Sequence, residues 1–378
     1  MDQNHYDMGK ILLILAMTLT SLLSNAAKPV EVEIDQIFYR LDLDEMTASV
    51  ISANEKIESA IILNTVNYEN NSYAVTLIGR QAFKGCNKLK SVLIPNGIKE
   101  IGYESFYMCS CLNDVEIPNS VIKIDAYAFC ICTNLSSVKL PPSLIEIGDN
   151  AFKSCKSLKR VDIENLRAWC DVKLNGSYSN PIYVANADLY ENNSLIENLV
   201  IPEGITHILQ HFMGCNSIKT VNIPSYISKI GYEAFYGCQN LEIVTIDNGV
   251  EELADWSFAY CSQLKIINVF SVTPPLVIAE NSPVGTFFMS YPEYMTLHVP
   301  KGTKEIYEKA DGWKDFGTII DDLPNESGIE NILIDNTQSI EIYNLEGKCV
   351  FSGFGNYELK SGFYIIRQGS KCKKIIIE

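Results

Sequence analysis

Apolar positions recur along this chain at a fixed interval. One unit starts at Ile78-Gly79 and runs through Ala82-Phe83, Cys86, Leu89, Val92, Ile94-Pro95 and Ile98. The next starts 23 residues later at Ile101 and fills the same slots with Gly102, Ser105-Phe106, Cys109, Leu112, Val115, Ile117-Pro118 and Val121. A third carries Ala128-Phe129, Cys132, Leu135, Val138 and Leu140-Pro141, and a fourth, from Ile147, carries Phe152, Cys155, Leu158, Val161 and Ile163. The pattern resumes at Ile208 (Phe212, Cys215, Val221, Pro224), Ile230 (Phe235, Cys238, Leu241, Val244) and Leu253 (Phe258, Cys261, Leu264), the Ile208 unit being one residue short before its phenylalanine.

Val and Ile two apart, as in Val92 and Ile94, predict a short strand with one buried face, ended by proline. The Gly-x-x-Ala-Phe-x-x-Cys stretch has helical separations and predicts one turn of helix that sends Phe inward. No unit can bury its apolar face alone. Stacked, the units make a continuous core: a repeat solenoid with parallel β-strands and short helical turns. The cysteines share one slot, which predicts a small buried hydrophobe repeated coil on coil. Side chains in equivalent slots point in parallel, against the geometry of a disulfide.

These residues resemble the BspA-like leucine-rich repeat, a repeat of about 23 residues. The resemblance spans residues 34–323. It implies an N-terminal β cap region at 27–77, a solenoid at 78–270 with a long insert at about 164–201, and a C-terminal repeat and cap at 271–323. It also implies a surface protein of Gram-negative anaerobic bacteria. After a linker, Pro324-Asn325-Glu326-Ser327-Gly328, residues 329–378 alternate as a small β domain (Ser339-Ile340-Glu341-Ile342-Tyr343, then Phe363-Tyr364-Ile365-Ile366). That domain is similar to the C-terminal sorting domains of secreted proteins. Cys349 and Cys372 both fall in it and are candidates for a disulfide between neighbouring strands.

Residues 1–26 read as an export signal: an apolar run at 11–23 behind Lys10, closed by Ser24-Asn25-Ala26, with Met8 the better-placed start. The first cysteine is Cys86, which excludes a lipid anchor at that cleavage site. No later run is long enough to cross a membrane. Asp and Glu number 46 against 30 Lys and Arg, a net charge of -16 that repels nucleic acid.

Candidate chemistry is sparse. There is no Gly-x-Ser-x-Gly, His-Glu-x-x-His or P-loop motif, so neither catalysis nor a cofactor is expected. His207 and His211 are four apart but lack a third ligand, and two solvated side chains are expected there. Cys109-Ser110-Cys111 and Cys130-Ile131-Cys132 lack zinc spacing, so no metal is expected. Outward strand positions, Leu93, Glu116, Lys139, Asp162, Asn222, Thr245 and Asn268, read as an ordinary solvated strip.

The remaining signal is aromatic. Tyr103, Tyr107, Tyr127, Tyr232, Tyr236, Trp256 and Tyr260 recur beside the buried Phe slot and form the candidate binding surface, with half-buried packing over the next coil as the alternative. The expectation is a non-catalytic, exported or cell-surface monomer that binds a host or neighbouring-cell protein or glycan. The alternatives are a carbohydrate-associated module accompanying secreted degrading enzymes, and an enzyme with its site in the insert around Trp169.

Overall fold

The computed structural model describes residues 29–278, 285–324, 340–344, 349–353, 362–368 and 371–377, and the chain divides into two compact units, 1–194 and 195–378. The expected export signal lies outside the described residues.

In the first unit each coil contributes a strand to each of two parallel sheets. Strands Asp114–Glu116, Ser137–Leu140 and Arg160–Ile163 lie side by side, with Val115 opposite Val138 and Val138 opposite Val161. Two-residue strands form the other sheet, where Ile101, Ile124 and Ile147 align. The register of both sheets is the repeat itself, because a slip would turn the buried Val and Ile outward. Antiparallel strands Val30–Ile34, Ile37–Asp42 and Thr47–Ala53 extend the second sheet at its N-terminal edge.

The insert is a widened coil. Its strand Lys173–Leu174 pairs with Glu146–Ile147, and Asp188–Glu191 pairs with Arg160–Ile163. Just before Lys173–Leu174, helix Leu166–Asp171 is capped by Asn165, whose Oδ1 accepts from the Ala168 amide at 2.8 Å, and it buries Trp169.

The Phe-bearing side of the coil is not helical as the sequence predicts. Its amides alternate in use: Ser105, Tyr107 and Cys109 close turns onto the carbonyls of Gly102, Glu104 and Phe106, while Glu104, Phe106 and Met108 donate to Ala126, Ala128 and Cys130 of the next coil. A helix would consume every amide within its own coil and leave none to tie the coils together. The alternation requires left-handed backbone at two slots per coil, Glu104 (φ 53°) and Met108 (φ 62°) here, Glu233 (φ 56°) and Gly237 (φ 72°) later. The Ile208 coil, one residue short, tightens instead into a 3-10 turn at Gln210–Phe212.

Inside, the phenylalanines stack coil on coil. Phe83, Phe106, Phe129 and Phe152 are fully buried, with ring centroids 5.0, 5.2 and 5.4 Å apart and planes within 12°. The second unit repeats this with Phe212, Phe235 and Phe258 and adds a ring the repeat pattern does not announce, Phe287, 5.9 Å from Phe258. Its larger sheet runs from Asn198–Val200 to Thr318–Leu323. At the end of the stack Trp313 and Tyr307 are fully buried, donating to the carbonyls of Pro275 (2.8 Å) and Ser271 (2.7 Å).

Residues 340–377 include a four-stranded antiparallel sheet in the order Cys349–Gly353, Ile340–Asn344, Gly362–Gln368, Lys371–Ile377. This order corrects the expected disulfide. Cys349 and Cys372 stand on the two outer strands, three steps apart, which is about 14 Å against the roughly 4–7 Å that a disulfide allows between Cα atoms.

Candidate binding surface

The seven singled-out aromatic residues fall into two groups, one in each unit, and the two groups differ. In the first unit each ring already has a partner from its own neighbourhood. The Arg80 guanidinium lies 4.7 Å from the Tyr103 ring and Lys84 Nζ 5.1 Å from the Tyr107 ring. Tyr127 meets Tyr103 edge-on at 5.9 Å, and its hydroxyl accepts from Asn150 Nδ2 at 3.2 Å. All three are half-buried, as packing over the adjacent coil requires. Tyr178 in the insert coil follows the same rule, with Lys153 Nζ 5.2 Å from its ring.

In the second unit the rings meet one another. Trp256 lies 6.4 Å from Tyr232, 5.9 Å from Tyr236 and 5.9 Å from Phe288, with planes within 27°. Tyr260 tilts onto Tyr236 at 5.1 Å and meets Phe288 edge-on at 5.4 Å. Tyr232 is 45% exposed and Tyr260 37%, and Met289 and Tyr291 in the next coil are also exposed. Phe288 escapes the sequence pattern because its coil is longer; the signal that finds it is Phe287 and Ser290, three apart, in the Phe and Cys slots.

Two of these rings stand at left-handed backbone. Tyr260 (φ 58°) occupies a left-handed slot that Gly214 and Gly237 fill in the two preceding coils, and Trp256 (φ 60°) occupies the other. A bulky residue pays about 1–2 kcal/mol there. Among the rings sits Glu233, buried, its Oε2 accepting from Gln210 Nε2 at 2.8 Å; burial raises its carboxyl pKa, opposed by hydrogen bonds from Gln210 and Tyr232.

Burial makes the repeat-slot thiols poor nucleophiles. Desolvation pushes Cys155 and Cys261 up to about 12 and Cys86 to about 11, and it also raises Cys109, Cys132 and Cys238 well above the usual thiol range. Cys170 beside Trp169 is likewise held at about 12 by burial. Among the described residues no group of three or more His, Cys, Asp or Glu is placed to hold a metal. His207 is exposed and bonded to Thr206, but His211, expected in solvent, is buried inside the tightened 3-10 turn. The outward strip also departs from expectation at one position. Asp162 is buried, paired with Arg160, whose guanidinium lies 4.1 Å over Tyr190.

Comparison with known proteins gives a consistent picture. A family model described as BspA type leucine-rich repeat region matches in six copies across residues 54–171 and 185–282, more than half the chain. Among solved structures, the Treponema pallidum leucine-rich repeat protein TpLRR is similar at 22% identity over 62% of this chain and 91% of that one, with a TM-score of 0.40. A leucine-rich cell surface protein from Faecalibacterium prausnitzii is 20% identical over 80% of this chain and 100% of that one, TM-score 0.32. The pneumococcal vaccine antigen PcpA is 16% identical over 78% and 99%, TM-score 0.32. No curated protein matches. Among the described residues no helix is long and apolar enough to cross a membrane.

Proposed function

The chain belongs to the BspA-type leucine-rich repeat family, and from that premise we propose that it is an exported, non-catalytic binding protein that displays its repeat surface outside the cell. Its ligand is a host or neighbouring-cell protein or glycan, held through many weak contacts spread over successive coils. The observation that carries this reading is the aromatic surface of Tyr232, Tyr236, Trp256 and Tyr260. Two of these rings, Trp256 and Tyr260, stand at left-handed backbone, and Tyr232 and Tyr260 are well exposed. Rings that cost backbone strain and add little to the core point to a use at the surface.

Export is assigned to residues 1–26, and delivery to the cell surface to residues 329–378, on their likeness to sorting domains. The chain immobilised and presented to an array of extracellular-matrix proteins and glycans tests the reading. Retention of at least one class, lost in a Tyr232→Ala/Tyr260→Ala variant, is the expected result. Retention of neither class would overturn it, and retention of plant or bacterial polysaccharides alone would favour a module serving degradative enzymes.

A further inference from the structure

We propose that the aromatic surface of the second unit receives the guanidinium and ammonium groups of a cationic protein segment. This specifies, and rests on, the binding role proposed above.

The first unit shows what these slots do when the chain supplies both partners. Arg80, three residues before Phe83, lies over Tyr103, three before Phe106; Lys84, one after Phe83, lies over Tyr107, one after Phe106. A cation from one coil thus covers a ring from the next, and Lys153 covers Tyr178 in the same sense.

In the second unit the rings remain and the cations are replaced. Leu209 stands three residues before Phe212, where a cation would cover Tyr232, and Met213 stands one after Phe212, before Tyr236. Residues 208–215, 231–238, 253–261 and 285–291 contain no Lys or Arg, but they carry two carboxylates, Glu233 and Asp255. The cation–ring contacts of Arg80, Lys84, Lys153 and Arg160 all lie in the first unit.

An aromatic face is electronegative, and the nearby carboxylates deepen that potential. The net charge of -16 adds long-range attraction for a basic partner. A neutral glycan would draw on the rings but gain nothing from this field. The complement that the first unit provides in cis is therefore supplied here by the Lys and Arg side chains of another protein.

Trp256 gives the surface its own reporter, because the other two tryptophans, Trp169 and Trp313, are buried. The probes are a short peptide of alternating Arg and Gly, the same peptide with citrulline for Arg, and a neutral glucose oligomer, each titrated into the full chain. The Arg peptide should quench Trp256 fluorescence, and its affinity should fall about tenfold in Tyr232→Ala/Tyr260→Ala while Tyr103→Ala leaves it unchanged. The citrulline peptide should bind far more weakly than the Arg peptide.

Equal binding by the two peptides, no binding by the Arg peptide, or an affinity indifferent to the Tyr232→Ala/Tyr260→Ala change would each overturn the proposal, the last by tracing the attraction to net charge alone. Quenching by the glucose oligomer without quenching by the Arg peptide would overturn the cationic partner and leave the binding role standing. The array experiment above, failing for every class, would remove the binding role itself.

Discussion

The thiol of Cys132 donates to the carbonyl oxygen of Phe106 in the preceding coil, at 3.1 Å. The same bond joins Cys109 to Phe83, Cys155 to Phe129, Cys238 to Phe212 and Cys261 to Phe235, at 3.1–3.2 Å. At the end of the ladder Ser290 takes the cysteine slot and donates to Phe258 at 2.6 Å. The slot therefore selects for a small donor as well as for a small hydrophobe, and the bond stitches each phenylalanine to the coil above it.

Because serine already serves once in this slot, Cys132→Ser should be mild and Cys132→Ala should be worse, since alanine loses the donor and leaves a void. The alanine change should cost about 2 kcal/mol and the serine change less than half of that. Urea melts of the two variants decide it; equal losses would mean that the thiol bond contributes nothing.

The buried thiols also set an alkaline limit. Below about pH 9 they are protonated in both the folded and the unfolded chain, so their contribution is fully present. Above it the unfolded thiols ionise while Cys155 and Cys261 stay protonated until about pH 12. The unfolded state then holds fewer protons, and stability should fall by roughly 1.4 kcal/mol per pH unit for each such thiol. Denaturant melts at about pH 8 and about pH 10 should show this decline, shallower in Cys155→Ser because serine does not ionise in that range.

Much of this architecture was legible in the sequence, because a strict interval between Val, Ile, Phe and Cys leaves only a stacked solution for burying them. What the spacing could not show was the turn conformation. Apolar residues three and four apart suit a helix, yet Glu104 and Met108 adopt left-handed backbone so that alternate amides can reach the next coil. The Phe287 coil was hidden by its extra length, and the burial of His211 by a one-residue shortening whose effect on the turn has no signature in residue type. The aromatic residues were found, but their division was not: only the structure shows Arg80 and Lys84 lying over rings of the first unit, and rings meeting rings in the second.

Phe129 and Tyr127 test the inward and outward assignment within one coil. Phe129 is fully buried between Phe106 and Phe152, so Phe129→Ala should cost about 3–5 kcal/mol by opening a cavity in the stack. Tyr127 is half-buried and loses an edge contact and one hydrogen bond, so Tyr127→Ala should cost about 1 kcal/mol. Thermal or urea unfolding that gave the same loss at both sites would contradict the assignment.

Gly102 marks a point where coils touch backbone to backbone. A Cβ there would lie 2.7 Å from the carbonyl oxygen of Ile78, the same oxygen that accepts the Gly102 amide. Gly102→Ala should destabilise the chain by about 1–3 kcal/mol through displacement of the coils. Gly85 (φ 77°) has open space around its Cβ direction, and Met108 and Ile131 hold its slot in the next two coils. Gly85→Asn should therefore cost no more than about 1 kcal/mol. A larger loss at Gly85 than at Gly102 in denaturant melts would show that backbone conformation, not coil spacing, limits these sites.

The last expectation concerns delivery. The final strand of the second unit's larger sheet, Thr318–Leu323, pairs with Thr296–Pro300, and the buried Tyr307 and Trp313 close the stack by bonding to Ser271 and Pro275. Coils in a solenoid gain their stability from nearest neighbours, so a chain ending at Leu323 keeps every contact that its last coil makes to the one before it. It should unfold cooperatively at nearly the same temperature as the full chain. If residues 329–378 direct sorting, the shortened protein should also lose surface display while its total amount is maintained. Surface biotinylation of the native host, set against whole-cell detection, separates the outcomes: undiminished display would assign the four-stranded sheet a role other than export, and disappearance of the protein from the whole cell would show that the solenoid depends on that sheet to survive.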